Sequence, residues 1–203
     1  MIYTVTFNPA IDYVVHTDAM QVGMVNRSRT EEIYYGGKGI NVSMVLKELG
    51  LESRALGFVA GFTGAAIEKG VQAKGIATDF VHLQEGFSRI NVKIKAAQET
   101  ELNGAGPSIP ESAMQQLEAR LDQLGEDDIL ILAGSIPKSL SQSTYERLLA
   151  GLEGHGVSYC ATCDAFFYRG RDVAVLGSGE YALHEVQALL PVAHSVTLLT
   201  GGA

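Results

Sequence analysis

The chain has 203 residues, 46% of them hydrophobic and 19% charged, which suffices for one well-packed core and the beginning of a second. Its formal net charge of −8 argues against nucleic-acid partners, because polyanion binding depends on clustered Lys and Arg side chains. No apolar run approaches the length that spans a bilayer, and no basic segment precedes an apolar stretch at the N-terminus. We therefore expect a cytoplasmic protein that binds small molecules and neither nucleic acid nor membrane.

Strand and helix patterns alternate over about residues 1–156, which predicts a sheet covered by helices. Ile2 to Phe7 is typical of a strand. The helix that follows Gly39 has an apolar stripe, predicted to be its buried face, at Val42, Val45, Leu46 and Leu49. Further segments in chain order are a strand at 54–60, a helix at 65–74, a helix beginning near Pro110 and a helix around 145–152. The apolar run 127–134 predicts a central parallel strand buried on both faces.

Three segments interrupt this alternation. Val81 to Leu83 and Arg89 to Ala97 are typical of strands with one wetter face, and Tyr13 to His16 is a candidate to pair with them. A small sheet standing off the main one would form a lid.

A different pattern begins after Gly156. Arg171 to Leu176 predicts a strand, Glu180 to Leu190 a helix, and Val196 to Leu199 a second strand. We interpret these segments as a partial Rossmann βαβ unit. The predicted domains are therefore 1–156 and 157–203, and the fold class is α/β throughout.

The segment YYGGKGINVS places Gly36, Gly37, Lys38 and Gly39 directly before a helix. Backbone N–H groups at a helix N-terminus attract anions, and Lys38 adds a positive charge. The alternative is a glycine-rich turn that merely begins a helix, and the P-loop pattern does not match. From these residues alone, both interpretations stay open.

Five segments occur in order along residues 1–156: TFNPAID, GGKGINVS, SRINVKI, ETELNGAGP and ILAGSIP. Together they resemble the N-terminal half of the 1-phosphofructokinases, within the phosphofructokinase B (ribokinase-like) family of sugar kinases. The tagatose-6-phosphate kinases are similar. The resemblance implies a ribokinase-like parallel sheet with a small β-lid. It also implies the use of ATP and Mg²⁺ to phosphorylate a ketose phosphate, with fructose 1-phosphate converted to fructose 1,6-bisphosphate as the leading expectation.

The resemblance also implies five substrate-binding residues. Asp12 would bind sugar hydroxyls, Gly37 and Asn41 would contact the sugar, and Lys38 and Arg89 would face its phosphate. An arginine fork suits phosphate, and a carboxylate accepts hydroxyl protons.

Two further expectations concern neighbouring positions. Ser135 follows a predicted strand and would lie at the carboxyl edge of the sheet, where ligands bind in open α/β sheets. The alternation of Arg89, Asn91 and Lys93 also fits an ordinary solvated strand face. No residue is predicted as a metal ligand.

The family's catalytic base is an aspartate in a Gly-Ala-Gly-Asp loop. The only similar tripeptide in the sequence is Gly104-Ala105-Gly106, which is followed by Pro107. We therefore expect the catalytic base and most of the ATP site to be missing from this chain, and kinase turnover to be absent.

A second resemblance covers about residues 156–200 and is to the NADPH-binding domain of bacterial thioredoxin reductase. Cys160 and Cys163 match the redox pair of that reductase, and Asp164 matches the acid beside it. A disulfide formed by such a pair exchanges with thiols. The two cysteines could instead be half of a zinc site, or thiols with no chemical role. The zinc alternative is less favoured, because His155, His184 and His194 do not have the spacing of further zinc ligands.

The dinucleotide fingerprint of this segment is Gly177, Gly179 and Ala182, between a predicted strand and a predicted helix. The alternative is an ordinary tight turn from strand to helix. The fingerprint implies NADPH, with FAD as the flavin partner whose domain is missing. Two alternatives to the kinase follow, a thioredoxin-disulfide reductase fragment and a non-catalytic chimera joined near residue 156. Unpaired sheet edges or the lid would favour self-association.

Overall fold

The computed structural model describes residues 1–125, 127–141, 143–151, 165–176 and 179–199. The chain divides into two compact units, Met1–Leu148 and Leu149–Ala203. Within the described ranges, no helix is both long enough and apolar enough to cross a membrane.

The first unit contains eight strands and four helices among its described residues, and the last of these helices extends past Leu148. In chain order they are β1 (Ile2–Thr6), β2 (Ala10–His16), β3 (Thr30–Gly36), α1 (Lys38–Glu48), β4 (Ser53–Ala60), α2 (Gly61–Ala73), β5 (Ala77–Leu83), β6 (Arg89–Lys95), β7 (Thr100–Asn103), α3 (Glu111–Leu121), β8 (Ile129–Leu132) and α4 (Thr144–Gly151).

The main sheet is parallel throughout, with the strand order β5-β4-β1-β8. Strands β1 and β4 are its buried centre, and their apolar side chains pack against the helices. One core cluster joins α1, α2, β4 and β5, and comprises Ile40, Ala55, Val59, Ile67, Val71, Ile76 and Phe80. The expected parallel sheet with flanking helices is confirmed.

Helix α1 does not bury the face that its apolar stripe predicts. Val45 and Leu49 are 55% and 70% exposed, while the buried residues are Gly39, Ile40 and Ser43. The small side chains let the helix approach β1 so closely that the Ser43 hydroxyl lies 2.8 Å from the Thr4 hydroxyl. Close approach and hydroxyl pairing therefore determine the buried face, and the hydrophobic stripe does not.

A second sheet, the lid, has the order β3-β2-β6-β7. Strand β2 pairs antiparallel with β3 and parallel with β6, and β6 pairs antiparallel with β7. The prediction for 89–97 and 13–16 is correct, and Val81 to Leu83 also form a strand with one wetter face, but their assignment to the lid is wrong. Those residues belong to β5 of the main sheet, where Val81 and Leu83 are buried, because β5 continues beside β4 for seven residues.

Strand β8 departs from its prediction as a strand buried on both faces. Within the described residues it pairs with β1 alone, and Ile129 is 55% exposed. An edge position explains the exposure, since no described strand lies along its other side.

The second unit contains, among its described residues, a short 3₁₀ turn at Ala165–Tyr168 and one βαβ unit. Strands β9 (Asp172–Leu176) and β10 (Ser195–Leu199) pair in parallel, and helix α5 (Gly179–Leu189) connects them. These bounds lie within one residue of the predicted ones. The predicted domain boundary at 156 falls outside the described residues and stays a prediction.

Candidate functional site

A cleft opens at the carboxyl ends of β1 and β8, beside the N-terminus of α1. It lies where the chain order in the sheet changes direction, which is where open α/β sheets bind ligands. The cleft is lined by Thr6, Phe7, Asn8, Lys38, Arg89, Ala133, Gly134 and Ser135. Lys38, Arg89 and Ser135 thus come together at one edge, from three segments distant in sequence.

The two cations of the cleft have no acidic partner among the described residues. Arg89 uses its Nε to donate a hydrogen bond to the Asn8 backbone oxygen, at 3.1 Å, which fixes the guanidinium while leaving its terminal nitrogens available. Lys38 is the first residue of α1, and the N-cap residue Gly37 has no side chain to cap the helix. Two cations with no described acidic partner, beside such a helix N-terminus, favour an anionic ligand.

Helix α1 can stand at this edge because its first residues pack directly on β1. Gly37 has a φ of +137°, and a Cβ at this position would lie 2.5 Å from Thr6 Cγ2. The Thr6 hydroxyl accepts a hydrogen bond from the Ile40 backbone N–H at 3.0 Å. A glycine at position 37 therefore suits both the backbone angle and the close approach to β1.

A second group of polar residues surrounds Gly36, at the end of lid strand β3. A Cβ built on Gly36 would lie 3.4 Å from Asn41 Oδ1 and 3.8 Å from Asp12 Oδ2. The glycine hydrogen thus leaves open space between the Asp12 carboxylate and the Asn41 amide. The structure brings these two predicted sugar-binding residues together across that space.

Asp12 is also contacted from strand β6. Asn91 donates from Nδ2 to Asp12 Oδ1 at 2.8 Å, and Lys93 Nζ lies 3.5 Å from Asp12 Oδ2. Lys93 is also 3.9 Å from a Glu101 carboxylate oxygen. Asn91 is only 7% exposed. The alternative of an ordinary solvated face for 89, 91 and 93 is therefore wrong, because this face of β6 meets Asp12 and the cleft.

The wall of the cleft near Gly134 is aromatic. The ring of Phe7 stacks on that of Tyr145, with centroids 4.9 Å apart, and the Tyr145 hydroxyl donates to the Gly134 backbone oxygen at 3.1 Å. Burial raises the pKa of Tyr145 to about 12. The phenol therefore stays protonated at neutral pH and remains a donor to Gly134.

Gly104, Ala105 and Gly106 follow lid strand β7 and have a structural contact of their own. Asn8 Nδ2 donates to the Ala105 backbone oxygen at 2.8 Å, and Gly106 packs against the same Asn8 side chain. This tripeptide joins the lid to the cleft, in agreement with its rejection as a catalytic loop.

The residues of the redox alternative lie mostly outside the described part of the chain. Cys160, Cys163, Asp164 and Gly177 all fall there, and their predicted roles stay predictions. Gly179 begins helix α5 and Ala182 is buried in it.

The sequence motifs did not indicate Asn8 and Phe7, which line the cleft, or Tyr145, which stacks on Phe7. The signal for Asn8 was present, since it stands inside TFNPAID between β1 and β2. The contact of Tyr145 with Phe7 joins segments far apart in sequence, and no local pattern predicts it.

The profile of the pfkB family of carbohydrate kinases matches residues 5–167. The chain is 48% identical over 148 residues to a 1-phosphofructokinase of Bacillus subtilis (strain 168), covering 73% of this chain and 48% of that protein. It is 41% identical, with the same coverage, to a D-tagatose-1-phosphate kinase of Bacillus licheniformis. The chain therefore spans about half the length of these curated relatives.

Solved structures agree with these relatives. The crystal structure of a Staphylococcus aureus protein described as a phosphofructokinase superposes on this chain with a TM-score of 0.78 at 33% identity. The match covers 100% of this chain and 72% of that one. Phosphofructokinase-2 from Escherichia coli has the same fold, with a TM-score of 0.72 at 21% identity, covering 95% of this chain and 64% of that one.

None of these comparisons supports the thioredoxin reductase resemblance. The family match instead continues past the junction predicted near residue 156 and includes Cys160 and Cys163. The chain belongs to the pfkB family of carbohydrate kinases.

Proposed function

We propose that the first unit binds a ketose phosphate as the acceptor half of an ATP-dependent sugar-phosphate kinase. The observation that carries this proposal is the cleft with two unpaired cations, Lys38 and Arg89, beside the group formed by Asp12, Asn41 and Gly36. The cations thus stand apart from a group that offers a carboxylate and an amide to hydroxyls. A sugar phosphate has the same division between its phosphate and its hydroxyls.

Each residue has a physical role in this proposal. Arg89 offers a planar fork that can take two phosphate oxygens, and its orientation is fixed by the hydrogen bond to Asn8. Lys38 adds a compact charge at the helix N-terminus. Asp12 accepts hydrogen bonds from sugar hydroxyls, and the Asn41 amide can donate or accept.

The leading substrate is fructose 1-phosphate, which would become fructose 1,6-bisphosphate. The names of the relatives support a phosphorylated ketose, since they include 1-phosphofructokinase, D-tagatose-1-phosphate kinase and tagatose-6-phosphate kinase. Tagatose phosphates are therefore the competitors to measure.

The phosphoryl donor is proposed to be ATP with Mg²⁺, as expected of a pfkB kinase. Among the described residues, no group of three or more His, Cys, Asp or Glu side chains is arranged to hold a metal ion. The described residues therefore offer no such cluster to the metal of the nucleotide. Absence of turnover by this chain stays a prediction.

Titration calorimetry with fructose 1-phosphate tests the proposed binding. We expect binding by the 203-residue chain, and a loss of about 10- to 100-fold in affinity for Arg89→Ala and for Asp12→Ala. Lys69→Ala is the matched control, because it removes a positive charge from the exposed face of α2. No heat of binding at millimolar sugar phosphate would contradict the proposal.

A coupled assay with ATP and Mg²⁺ on the same preparation tests turnover separately. Formation of ADP that depends on fructose 1-phosphate would contradict the prediction of no turnover, while leaving the binding proposal intact.

We also propose that the chain self-associates, as predicted for its lid and sheet edges. The lid exposes Ile33, Tyr34 and Leu102, which are 57%, 53% and 72% accessible. Apolar edge strands favour pairing between chains. Sedimentation equilibrium over a concentration series tests this expectation, and a monomer at every concentration would contradict it.

A further inference from the structure

Asn91 is a buried polar residue in the centre of the lid. It stands on β6 directly opposite Asp12 in the parallel register of β2 and β6, and it is 7% exposed. Its Nδ2 donates to Asp12 Oδ1 at 2.8 Å, but its Oδ1 is buried and has no hydrogen-bond partner. The amide nitrogen of Asn91 therefore has a hydrogen-bond partner, and the amide oxygen has none among the described residues.

The orientation of the amide follows from the charge beside it. Turning the amide over would place Oδ1 against the Asp12 carboxylate, which repels it. An unsatisfied buried carbonyl is unfavourable, and an apolar side chain of the same size would avoid it. The fold alone therefore does not favour asparagine at position 91.

The two oxygens of Asp12 have different surroundings. Asn91 holds Oδ1, whereas Oδ2 lies toward Gly36, 3.8 Å from where a Cβ would stand. The only described cation near Oδ2 is Lys93, at 3.5 Å, and Lys93 also faces Glu101. Oδ2 thus borders the open space that Asp12 shares with Asn41.

We propose that Asn91 is a positioning residue of the sugar site. By holding Asp12 through Oδ1, it keeps Oδ2 directed at the space beside Gly36, where a sugar hydroxyl donates to it. The inference rests on the proposed function, since it takes Asp12 to be a sugar-binding residue. Asn91 acts through Asp12 and needs no contact with the ligand.

Replacing Asn91 by leucine separates positioning from a structural role. Leucine has a similar size and carries no unsatisfied carbonyl, so we expect an unchanged or higher melting temperature. The affinity for fructose 1-phosphate should nevertheless fall about tenfold, because Asp12 loses the group that orients it. Gln116→Leu is the matched control, because it replaces an amide by leucine on the exposed face of α3.

Asn91→Asp gives a second readout that a structural role would not produce. At neutral pH the introduced carboxylate repels Asp12, with Lys93 and Glu101 as the other charged groups nearby. At acidic pH the introduced carboxyl, once protonated, donates to Asp12 as the amide does. The ratio of variant to wild-type affinity should therefore rise as pH falls from 8 to 5, and taking this ratio cancels the ionisation of the ligand's own phosphate.

The outcomes of the two experiments are distinguishable. Wild-type binding that is lost in Asp12→Ala but kept in Asn91→Leu would overturn the inference and leave the proposed function standing. Absence of binding by the wild type would overturn both. If Asn91→Leu fails to fold, the Asn91→Asp affinity ratio decides, and a ratio that does not change with pH would overturn the inference.

Discussion

The two sheets of the first unit are stabilised in different ways. The main sheet packs apolar side chains such as Val5, Phe58 and Val59 with at most 1% exposure. The lid has instead a polar inner face, where Asn91 and Lys93 both contact Asp12. Substitutions in the main sheet should therefore reduce stability, while substitutions on the inner face of the lid should reduce binding.

Two glycines three positions apart show most clearly the difference between effects on stability and effects on binding. Gly39 belongs to helix α1, which packs on the main sheet, and Gly36 ends lid strand β3. Neither has a positive φ, so the surroundings of the missing Cβ decide what alanine would do at each.

The largest effect is expected for Gly39→Ala. Its Cβ would lie 2.5 Å from the Thr6 hydroxyl oxygen and 2.7 Å from the Val5 backbone oxygen, so α1 would have to move away from β1. We expect a loss of about 3 kcal/mol of stability, or about 6–12 °C in melting temperature. Thermal unfolding measures it. A shift no larger than that of Gly151→Ala, where no heavy atom lies within 4 Å, would contradict the close packing of α1 on β1.

A smaller effect, of a different kind, is expected for Gly36→Ala. The added methyl would meet Asn41 and Asp12 only at ordinary contact distances, so the melting temperature should hardly change. It would fill the space between the two side chains, and affinity for fructose 1-phosphate should fall about tenfold or more. Calorimetry on this variant and the wild type compares the two affinities. Equal affinities would show that the sugar does not occupy this space.

The periodicity of the sequence predicted the main sheet well, because buried strands and helices carry local patterns. It failed at α1, where the close approach of Gly39 and Ser43 to β1 outweighs the stripe of Val45 and Leu49. It failed also at Val81 to Leu83, because a partly exposed edge strand and a lid strand have similar alternation. At α1 a tertiary contact, and not the local pattern, fixes which residues are buried. At Val81 to Leu83 and at β8 the strand order in the sheets decides the outcome, and no local pattern encodes that order.

The candidate site was predicted by resemblance and not by chemistry alone. The motifs identified Asp12, Lys38, Asn41 and Arg89, which the structure places in two neighbouring groups. Asn91 could not be distinguished from a solvated residue, because its burial depends on pairing with Asp12 across strands 79 residues apart in sequence.

Tyr145→Phe tests, with a modest change, whether contacts beside the main sheet contribute to stability. The variant keeps the ring stacked on Phe7 but loses the hydrogen bond to Gly134, and we expect a loss of about 1 kcal/mol. The pKa of Tyr145 is raised to about 12, so between pH 10 and 12 the folded chain holds a proton that the unfolded chain has released. Stability therefore falls as pH rises through this window, and the variant should lose that component.

Two measurements check the Tyr145 prediction. Chemical unfolding at neutral pH gives the loss of stability, and near-ultraviolet titration follows ionisation of the eight tyrosines. The variant should lack the tyrosine that ionises last. A titration curve that keeps this last step would assign it to another tyrosine and contradict the buried environment of Tyr145.

The smallest effect is expected at Glu32, which stands on the edge strand β3 of the lid, opposite Val14 and on the same face as Asp12. Hydrogen bonds from Tyr34 and then His16 hold the pKa of this exposed carboxyl below its usual range. A lowered pKa contributes stability above the ordinary glutamate pKa, and this contribution is lost as pH falls through the lowered value. Glu32→Gln should thus lower the melting temperature slightly at pH 6, and the two melting curves should converge below about pH 4. Added salt should reduce the difference at pH 6, because exposed ion pairs are screened. A large, salt-independent loss would instead mean that this edge strand of the lid supports the fold, and the division between a stabilising sheet and a binding lid would fail there.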